Sequence, residues 1–311
     1  MSTSKKFIPV MLTPFHEDGS IDYDGLSALT AYYIEAGAGG LFANCLSSEM
    51  YELSSRERLD ITAHVVKAAA GAVPVFSTGT FSADGREQAD FVKRIYETGA
   101  SAVIVISSIL AREEESDSLL EERVHQLLDN TGDIPLGFYE CPVPYKRVLK
   151  AEQLQQFVST GRVVYHKDTS LSIDAIKAKL AATSAYPFEL YDAYMVNAVA
   201  SLQAGAAGLS CIQGNYIPEL ISWLCDNFDN PSLQEEVQLA QQFLTRNMDV
   251  MHEVYPVAAK YFLQKRGVPL GLTTRRQGNI FSEQAKQDVD RLFESYQALQ
   301  GSLGLRRQLI A

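Results

Sequence analysis

Short apolar runs alternate with longer amphipathic stretches along most of the chain. The eight apolar runs occupy positions 7–12, 40–43, 73–77, 102–106, 134–139, 163–167, 188–191 and 207–211. The stretches between them have helical periodicity, for example 54–70, 85–98 and 119–130. This alternation is typical of parallel strands joined by crossover helices, so the sequence predicts an α/β fold.

The number of these strand–helix units narrows the architecture. Eight units within about 225 residues fit a (β/α)8 TIM barrel. A doubly wound sheet is the alternative, but such sheets usually have fewer strands. The sequence also has no Gly-rich dinucleotide-binding turn, which further favours the barrel.

The pattern changes after Asn215. Residues 217–228 predict the eighth barrel helix, and a turn cluster, Asp-Asn-Pro, follows at 229–231. The remaining stretches predict helices without strands, and they are 233–254, 256–264 and 282–300. We therefore predict a barrel over residues 1–228 and a C-terminal helical extension, residues 229–311, packed on the barrel.

Charge and cysteine content exclude several kinds of partner and compartment. The 311-residue chain has 27 Lys and Arg against 38 Asp and Glu, a net charge of −11. Phosphate backbones and anionic lipid surfaces attract basic proteins, so we expect neither nucleic acid nor a membrane as a partner. The first ten residues lack the apolar segment of a secretory signal, and the four cysteines form no Cys-x-x-Cys pair. We therefore expect a protein of the reducing cytoplasm.

A lysine ends the sixth apolar run. Barrel enzymes place their chemistry at the carboxyl ends of the strands, where Lys167 lies. Alternation puts Lys167 on one face with Val163 and Tyr165, and it puts His166 on the other face, toward the helices. Burial inside the barrel would lower the pKa of the amine, and a neutral amine attacks a ketone to form a Schiff base. The alternative is a lysine that caps the strand end in water.

Two other strand ends carry groups that suit the same chemistry. Tyr139 ends the fifth run above Gly137, and a phenol there can pass a proton to or from a carbinolamine. After the second run, Ser47 and Ser48 offer two hydroxyls and their amides to a carboxylate. Each feature taken alone has a simpler explanation, a tyrosine bonded to backbone in the core or serines that cap a helix.

Taken together, these segments resemble the dihydrodipicolinate synthase / N-acetylneuraminate lyase superfamily. The resemblance runs from Pro9 to about Asn215, and its specificity comes from the order and spacing of short segments. The separation 167 − 139 = 28 also fits this superfamily. The matching segments are Thr13-Pro14-Phe15, Leu46-Ser47-Ser48-Glu49, Phe138-Tyr139-Glu140-Cys141-Pro142, Lys167-Asp168 and Gly205-Ala206-Ala207-Gly208-Leu209-Ser210.

The resemblance implies a lyase of the class I aldolase type that needs neither a metal nor an organic cofactor. Members of the superfamily form a Schiff base between a lysine and pyruvate or another 2-keto acid. Residue by residue, it implies Lys167 as the Schiff-base lysine and Tyr139 as the proton shuttle. It implies Ser47 as the carboxylate ligand, with Ser48 and Ser210 as further substrate-binding residues. The implied partners are a 2-keto acid, an aldehyde and further copies of the chain in a dimer or tetramer.

Several positions depart from the superfamily's pattern. Leu46 stands where a second hydroxyl usually relays protons between tyrosines. Residues 107–110 lack the Pro-x-Tyr-Tyr segment whose second tyrosine reaches across a subunit interface. Pro144 stands where dihydrodipicolinate synthases have an arginine for the aldehyde's carboxylate, and Lys146 or Arg147 could substitute for it. The half of the site that binds the keto acid is thus retained, whereas the half for the second substrate differs.

The sequence leaves open which reaction the site performs. One alternative is an aldolase that makes or cleaves a C–C bond to an aldehyde, and another is a 2-keto-3-deoxy sugar acid aldolase or dehydratase. A third is a barrel that binds a keto acid without turnover. Cys45, Cys141 and Cys211 all lie near strand ends and could bind zinc, although free cysteines more often pack as small apolar residues.

Overall fold

The strands form where the apolar runs predict them. The computed structural model describes residues 4–278 and 280–305. Residues 1–3 of the predicted barrel, and residues 279 and 306–311 of the predicted extension, lie outside the described residues. The strands of the described part are β1 Lys6–Phe7, β2 Leu41–Asn44, β3 Val75–Thr78, β4 Ala102–Ile106, β5 Leu136–Tyr139, β6 Val163–Asp168, β7 Glu189–Asp192 and β8 Gly208–Leu209.

Helices follow the strands and make up the C-terminal part. Over the described residues, no helix has the length and apolar composition that a bilayer span requires. The helices are α1 Tyr23–Glu35, α2 Ser55–Ala69, α3 Gly85–Glu97, α4 Ser107–Leu110, α5 Asp117–Asn130, α6 Ala151–Val158, α7 Ile173–Thr183, α8 Ala198–Ala204, α9 Pro218–Asn227, α10 Gln234–Arg246, α11 Met248–His252, α12 Val257–Lys265 and α13 Glu283–Ser302.

The parallel sheet closes on itself. Its strands pair in the order β1-β8-β7-β6-β5-β4-β3-β2, and an isolated parallel bridge joins Val10 to Phe42. At this seam the Phe42 amide donates to the Pro9 carbonyl at 3.0 Å. Pro9 has no N–H, so the strand predicted over 7–12 is interrupted after Phe7. The (β/α)8 barrel is therefore confirmed, and the doubly wound alternative is wrong.

Side chains fill the interior of the barrel below its mouth. Tyr165 and Tyr191 stack with their ring centroids 4.9 Å apart, and Phe76 lies 4.7 Å from Tyr165. Gly137 makes room for this stack, because a Cβ at that position would lie 2.8 Å from the Cβ of Tyr165. Since the interior is packed, side chains at the carboxyl ends of the strands are the ones that can meet a ligand.

The last four helices pack against the side of the barrel formed by α1 and α9. Leu29 of α1, Leu220 of α9, Phe262 of α12 and Tyr296 of α13 belong to one buried apolar cluster. These helices have apolar faces but no strands of their own to cover, so they bury those faces against the outer helices of the barrel. The division of the chain at residue 228 stays a prediction.

One predicted C-terminal helix is two helices in the structure. The helix expected over 233–254 breaks at Asn247, which separates α10 from α11. Asn247 has φ −105° and ψ 12°, and its side-chain amide donates to the Phe243 carbonyl at 2.8 Å. The expectation of one helix is wrong because asparagine competes with the backbone for this carbonyl.

Candidate active site

Lys167 and Tyr139 are neighbours at the mouth of the barrel. Lys167 on β6 pairs in register with Tyr139, the last residue of β5. The Nζ of Lys167 lies 4.5 Å from the centroid of the Tyr139 ring, and each residue is only 4% exposed. Parallel strands end at one edge, so the two residues meet although 28 positions separate them in sequence.

The surroundings of Lys167 favour the neutral amine. Burial lowers the pKa of Lys167, and the nearby thiols of Cys45, Cys141 and Cys211 act in the opposite direction. Among the described residues no carboxylate contributes to this shift. A lysine without a carboxylate partner in a low-dielectric site is suited to nucleophilic attack on a carbonyl carbon.

Tyr139 keeps its proton. Burial raises the pKa of Tyr139 well above its ordinary value, and the thiols of Cys141 and Cys45 add to the shift. The Tyr139 hydroxyl also contacts the Cys141 thiol, whose own pKa is raised by burial. The phenol can therefore donate a proton to an oxygen that leaves from a carbon bonded to Lys167.

The three cysteines near the strand ends pack as small apolar side chains. Cys45, Cys141 and Cys211 are all free and buried, and the first two belong to the apolar cluster inside the barrel. Burial raises the pKa of Cys211 to about 12, which opposes formation of the thiolate that zinc requires. Their position therefore favours packing over metal binding.

A cavity of about 310 Å³ opens above Lys167. It is large enough for a small keto acid together with a second small molecule. Four of its groups can carry a positive charge, and among the described residues no Asp or Glu lines it. The lining residues are Leu46, Ser47, Tyr139, Pro142, Lys146, Lys167, Thr169, Leu171, Ala193, Tyr194, Ile212, Met248, His252, Tyr255 and Arg276.

The structure brings only one of the three predicted serines to the cavity. Ser47 lines it, from the short 3-10 helix Leu46–Ser48 after β2. Ser48 does not, because its hydroxyl donates to backbone carbonyls at 2.6 and 2.8 Å. Ser210 also lies away from the cavity, fully buried, where its hydroxyl accepts a bond of 3.4 Å from Tyr165. Neither hydroxyl lines this cavity, and the binding roles of Ser48 and Ser210 stay predictions.

Of the two basic residues expected to substitute for the missing arginine, one reaches the cavity. Lys146 lines it, and its Nζ donates to the Thr169 carbonyl at 3.0 Å. Arg147 faces away and forms an ion pair of 3.0 Å with Asp117. The structure therefore places Arg147 outside the cavity, because Asp117 at the start of α5 holds its guanidinium there.

Arg276 and Tyr255 are among the cavity residues that were not predicted from the sequence. Arg276 lines the cavity, and its guanidinium donates to the Leu46 carbonyl at 2.9 Å. Tyr255 lies between α11 and α12 and lines the cavity beside Ser47. Both come from the helical extension, and neither residue follows a predicted strand, which is the sequence signal that predicts site residues in a barrel. The one available signal was the pair of arginines in the loop after residue 267.

A buried group of charged residues lies on the outer face of β5 and β6. Lys179 of α7 donates to Glu140 at 2.5 Å and to Asp168 at 2.6 Å. His166 Nε2 lies 3.3 Å from Glu140, so this histidine is packed against the helices, as the alternation predicts. Glu140, His166 and Asp168 could by geometry hold a metal ion. The Lys179 ammonium, however, already lies between the two carboxylates and offsets part of their charge.

Replacing Lys179 with methionine is expected to lower the free energy of unfolding by about 3–5 kcal/mol, because two buried carboxylates lose their cation. Urea unfolding at neutral pH measures this loss. Lys177→Met, on the exposed face of the same helix, is the matched control and should change stability by less than about 0.5 kcal/mol. Equal effects of the two variants would show that the buried cluster does not anchor the strand ends.

Comparison with known proteins finds similarity over nearly the whole chain. Residues 3–296 match the family model described as the Dihydrodipicolinate synthetase family. The 4-hydroxy-tetrahydrodipicolinate synthase of Laribacter hongkongensis (strain HLHK9) is 24% identical over 263 residues. This match covers 84% of the present chain and 89% of that protein.

Solved structures share the fold. A crystal structure of YagE, a prophage protein of the dihydrodipicolinic acid synthase family from E. coli K12 in complex with pyruvate, has a TM-score of 0.82 and 21% identity. That comparison covers 95% of this chain and 98% of the other. Dihydrodipicolinate synthase DapA-2 from Bacillus anthracis has a TM-score of 0.84 and 20% identity, with coverages of 95% and 99%. At these identities the similarity establishes the barrel architecture.

Proposed function

Because this chain belongs to the dihydrodipicolinate synthetase family, we propose that it is a Schiff-base lyase that makes or cleaves a C–C bond between a 2-keto acid and an aldehyde. The observation that carries this proposal is the buried amine of Lys167 beside the Tyr139 ring, with no carboxylate partner among the described residues. Both groups line a cavity of suitable size for such substrates.

The reaction we propose begins with attack of the neutral Lys167 amine on the C2 carbonyl of the keto acid. Tyr139 donates a proton to the carbinolamine oxygen, which leaves as water and gives a protonated imine. The imine withdraws electrons, so the Tyr139 phenolate can take up a C3 proton, and an enamine forms. The enamine adds through C3 to the aldehyde carbon while Tyr139 returns this proton to the aldehyde oxygen. Hydrolysis of the resulting imine consumes one water and restores Lys167 and Tyr139.

Cations around the cavity support an anionic second substrate as well as an anionic keto acid. Lys146 and Arg276 line the cavity, in a chain whose net charge is −11. Attraction for anions must therefore come from these local groups. We propose that Ser47 binds the keto acid's carboxylate and that Lys146 and Arg276 favour an aldehyde that carries an acidic group.

All the groups that this imine step uses come from one chain. Lys167, Tyr139 and Ser47 line the same cavity of a single protomer. The segment 107–110, which replaces the family's interface tyrosines, forms the short helix α4 and does not line the cavity. We propose that imine formation needs no residue from a second copy, and assembly into a dimer or tetramer stays a prediction.

The rate of imine formation is expected to rise with pH and to level off below 10.5, the ordinary pKa of a lysine. The reason is that burial lowers the pKa of Lys167, so the neutral amine predominates at a lower pH. Below that pKa the neutral fraction grows about tenfold per pH unit, and above it the fraction is constant. Initial rates of borohydride trapping across the pH range measure this profile. A rate that keeps rising to the ordinary lysine value would contradict a buried amine.

The proposed function is tested by pyruvate-dependent inactivation followed by a substrate panel. Borohydride with pyruvate should inactivate the protein irreversibly, whereas either reagent alone should not, because only the imine is reduced to a stable amine. Aldehydes with and without an acidic group are then mixed with pyruvate, and pyruvate consumption is followed. If pyruvate is trapped but no aldehyde or sugar acid leads to its consumption, the protein is a barrel that binds keto acids without turnover. Absence of trapping with every 2-keto acid tried would contradict the lyase.

A further inference from the structure

A chain of hydrogen bonds reaches the cavity through a tyrosine of the helical extension. Tyr33 of α1 donates to the Oδ1 of Asn215, which follows β8. The Nδ2 of Asn215 donates to the Tyr255 hydroxyl at 2.5 Å. The Tyr255 hydroxyl is in turn hydrogen-bonded to the side chain of Ser47. The last two residues line the cavity, so the chain ends where we propose that the keto acid binds.

The donors of Tyr33 and Asn215 point along this chain toward the cavity. The Nδ2 of Asn215 also donates to the Val10 carbonyl at 2.8 Å, and a carbonyl can only accept, which fixes the orientation of the amide. The Leu12 amide donates to the Tyr33 oxygen, so the Tyr33 proton goes to Asn215. Tyr255 accepts from Asn215, so its own proton can be donated to the Ser47 oxygen.

We propose that Tyr255 is a positioning residue that holds Ser47 as a hydrogen-bond donor toward the carboxylate of the 2-keto acid. This inference rests on the proposed function of the site. A serine oxygen that accepts from Tyr255 has its hydroxyl proton available for a ligand. A hydrogen bond to a carboxylate is stronger than one between neutral groups, so the direction of this proton matters for binding.

Within the described part of the chain, the neighbouring serine has no tyrosine partner and bonds to the backbone instead. The Ser48 hydroxyl donates to the Met11 and Ala43 carbonyls, so it does not face the cavity. Leu46 on the other side has no hydroxyl to offer. Tyr255 therefore acts on the one hydroxyl of this short helix that can reach the ligand.

The first test is Tyr255→Phe, which removes the hydroxyl and keeps the ring. The concentration of pyruvate that half-saturates borohydride trapping should rise roughly tenfold, because Ser47 loses its fixed direction. The rate at saturation should stay within about twofold, since Lys167 and Tyr139 are untouched. Tyr216→Phe is the matched control, because that buried hydroxyl donates to the Met251 carbonyl away from the cavity. The control should leave the half-saturating concentration unchanged.

A double variant separates positioning from a general loss of structure. Ser47→Ala should itself weaken binding, and adding Tyr255→Phe should then change little, because Tyr255 acts through Ser47. Additive effects of the two changes, or unaltered half-saturation in Tyr255→Phe, would overturn this inference alone. Failure of the unaltered protein to form any adduct would instead refute the proposed function, so the two failures are distinguishable.

Discussion

Replacing Lys167 with alanine is expected to abolish the trapped adduct and to reduce turnover on the order of 10³-fold or more. The imine is a covalent bond to the lysine nitrogen, which the variant lacks, and no hydrogen bond can replace this covalent bond. The fold should survive, because a lysine without an ion-pair partner contributes little to stability. Steady-state turnover and borohydride trapping measure the two losses, and a urea unfolding curve checks the fold.

Lys146→Ala is the matched control for this prediction. Lys146 lines the same cavity, but its amine donates to the Thr169 carbonyl. Its loss should leave adduct formation intact and weaken only the use of an acidic aldehyde. Adduct formation in Lys167→Ala, or its loss in Lys146→Ala, would show that Lys167 is not the lysine that carries the Schiff base.

Tyr139→Phe is expected to lower turnover by about 10²–10⁴-fold while leaving keto acid binding nearly unchanged. The substitution removes the proton donor but keeps the ring, which lies edge-on to Phe42 at 5.9 Å. Loss of water from the carbinolamine then becomes slow, whereas attack by Lys167 remains possible. Rapid-quench trapping should show slow imine formation that still reaches completion.

Tyr194→Phe provides the comparison for Tyr139→Phe. Tyr194 also lines the cavity but follows β7, and it has no place in the proposed proton transfer. Its loss should change turnover by no more than a few-fold. If instead the two variants lose turnover equally, the proton shuttle is not specific to Tyr139.

The arrangement of Lys167 and Tyr139 could be predicted because it depends on backbone geometry. Strand alternation gives the face of each residue, and parallel pairing brings neighbouring strand ends to the same edge. The same reasoning placed His166 outside the barrel, where it contacts Glu140. The sequence overestimates the length of β1 at the seam, because Pro9 removes one of the hydrogen bonds that strand pairing needs.

The rest of the site depends on side-chain rotamers and long-range packing, which local sequence patterns do not encode. Ser48 and Ser47 are adjacent and chemically identical, yet only the structure shows that Ser48 donates to backbone carbonyls. Tyr255 and Arg276 enter the cavity from helices and loops without a period or motif. The docking of the C-terminal helices on α1 and α9 determines where these two residues lie.

The most direct test of the central claim is the identity of the residue that carries the trapped keto acid. The protein is incubated with pyruvate, reduced with borohydride, digested and sequenced by mass spectrometry. We predict a single modified peptide, with the mass of pyruvate less one water plus two hydrogens on Lys167. A modification on another lysine, with Lys167 unmodified, would contradict the account of this active site.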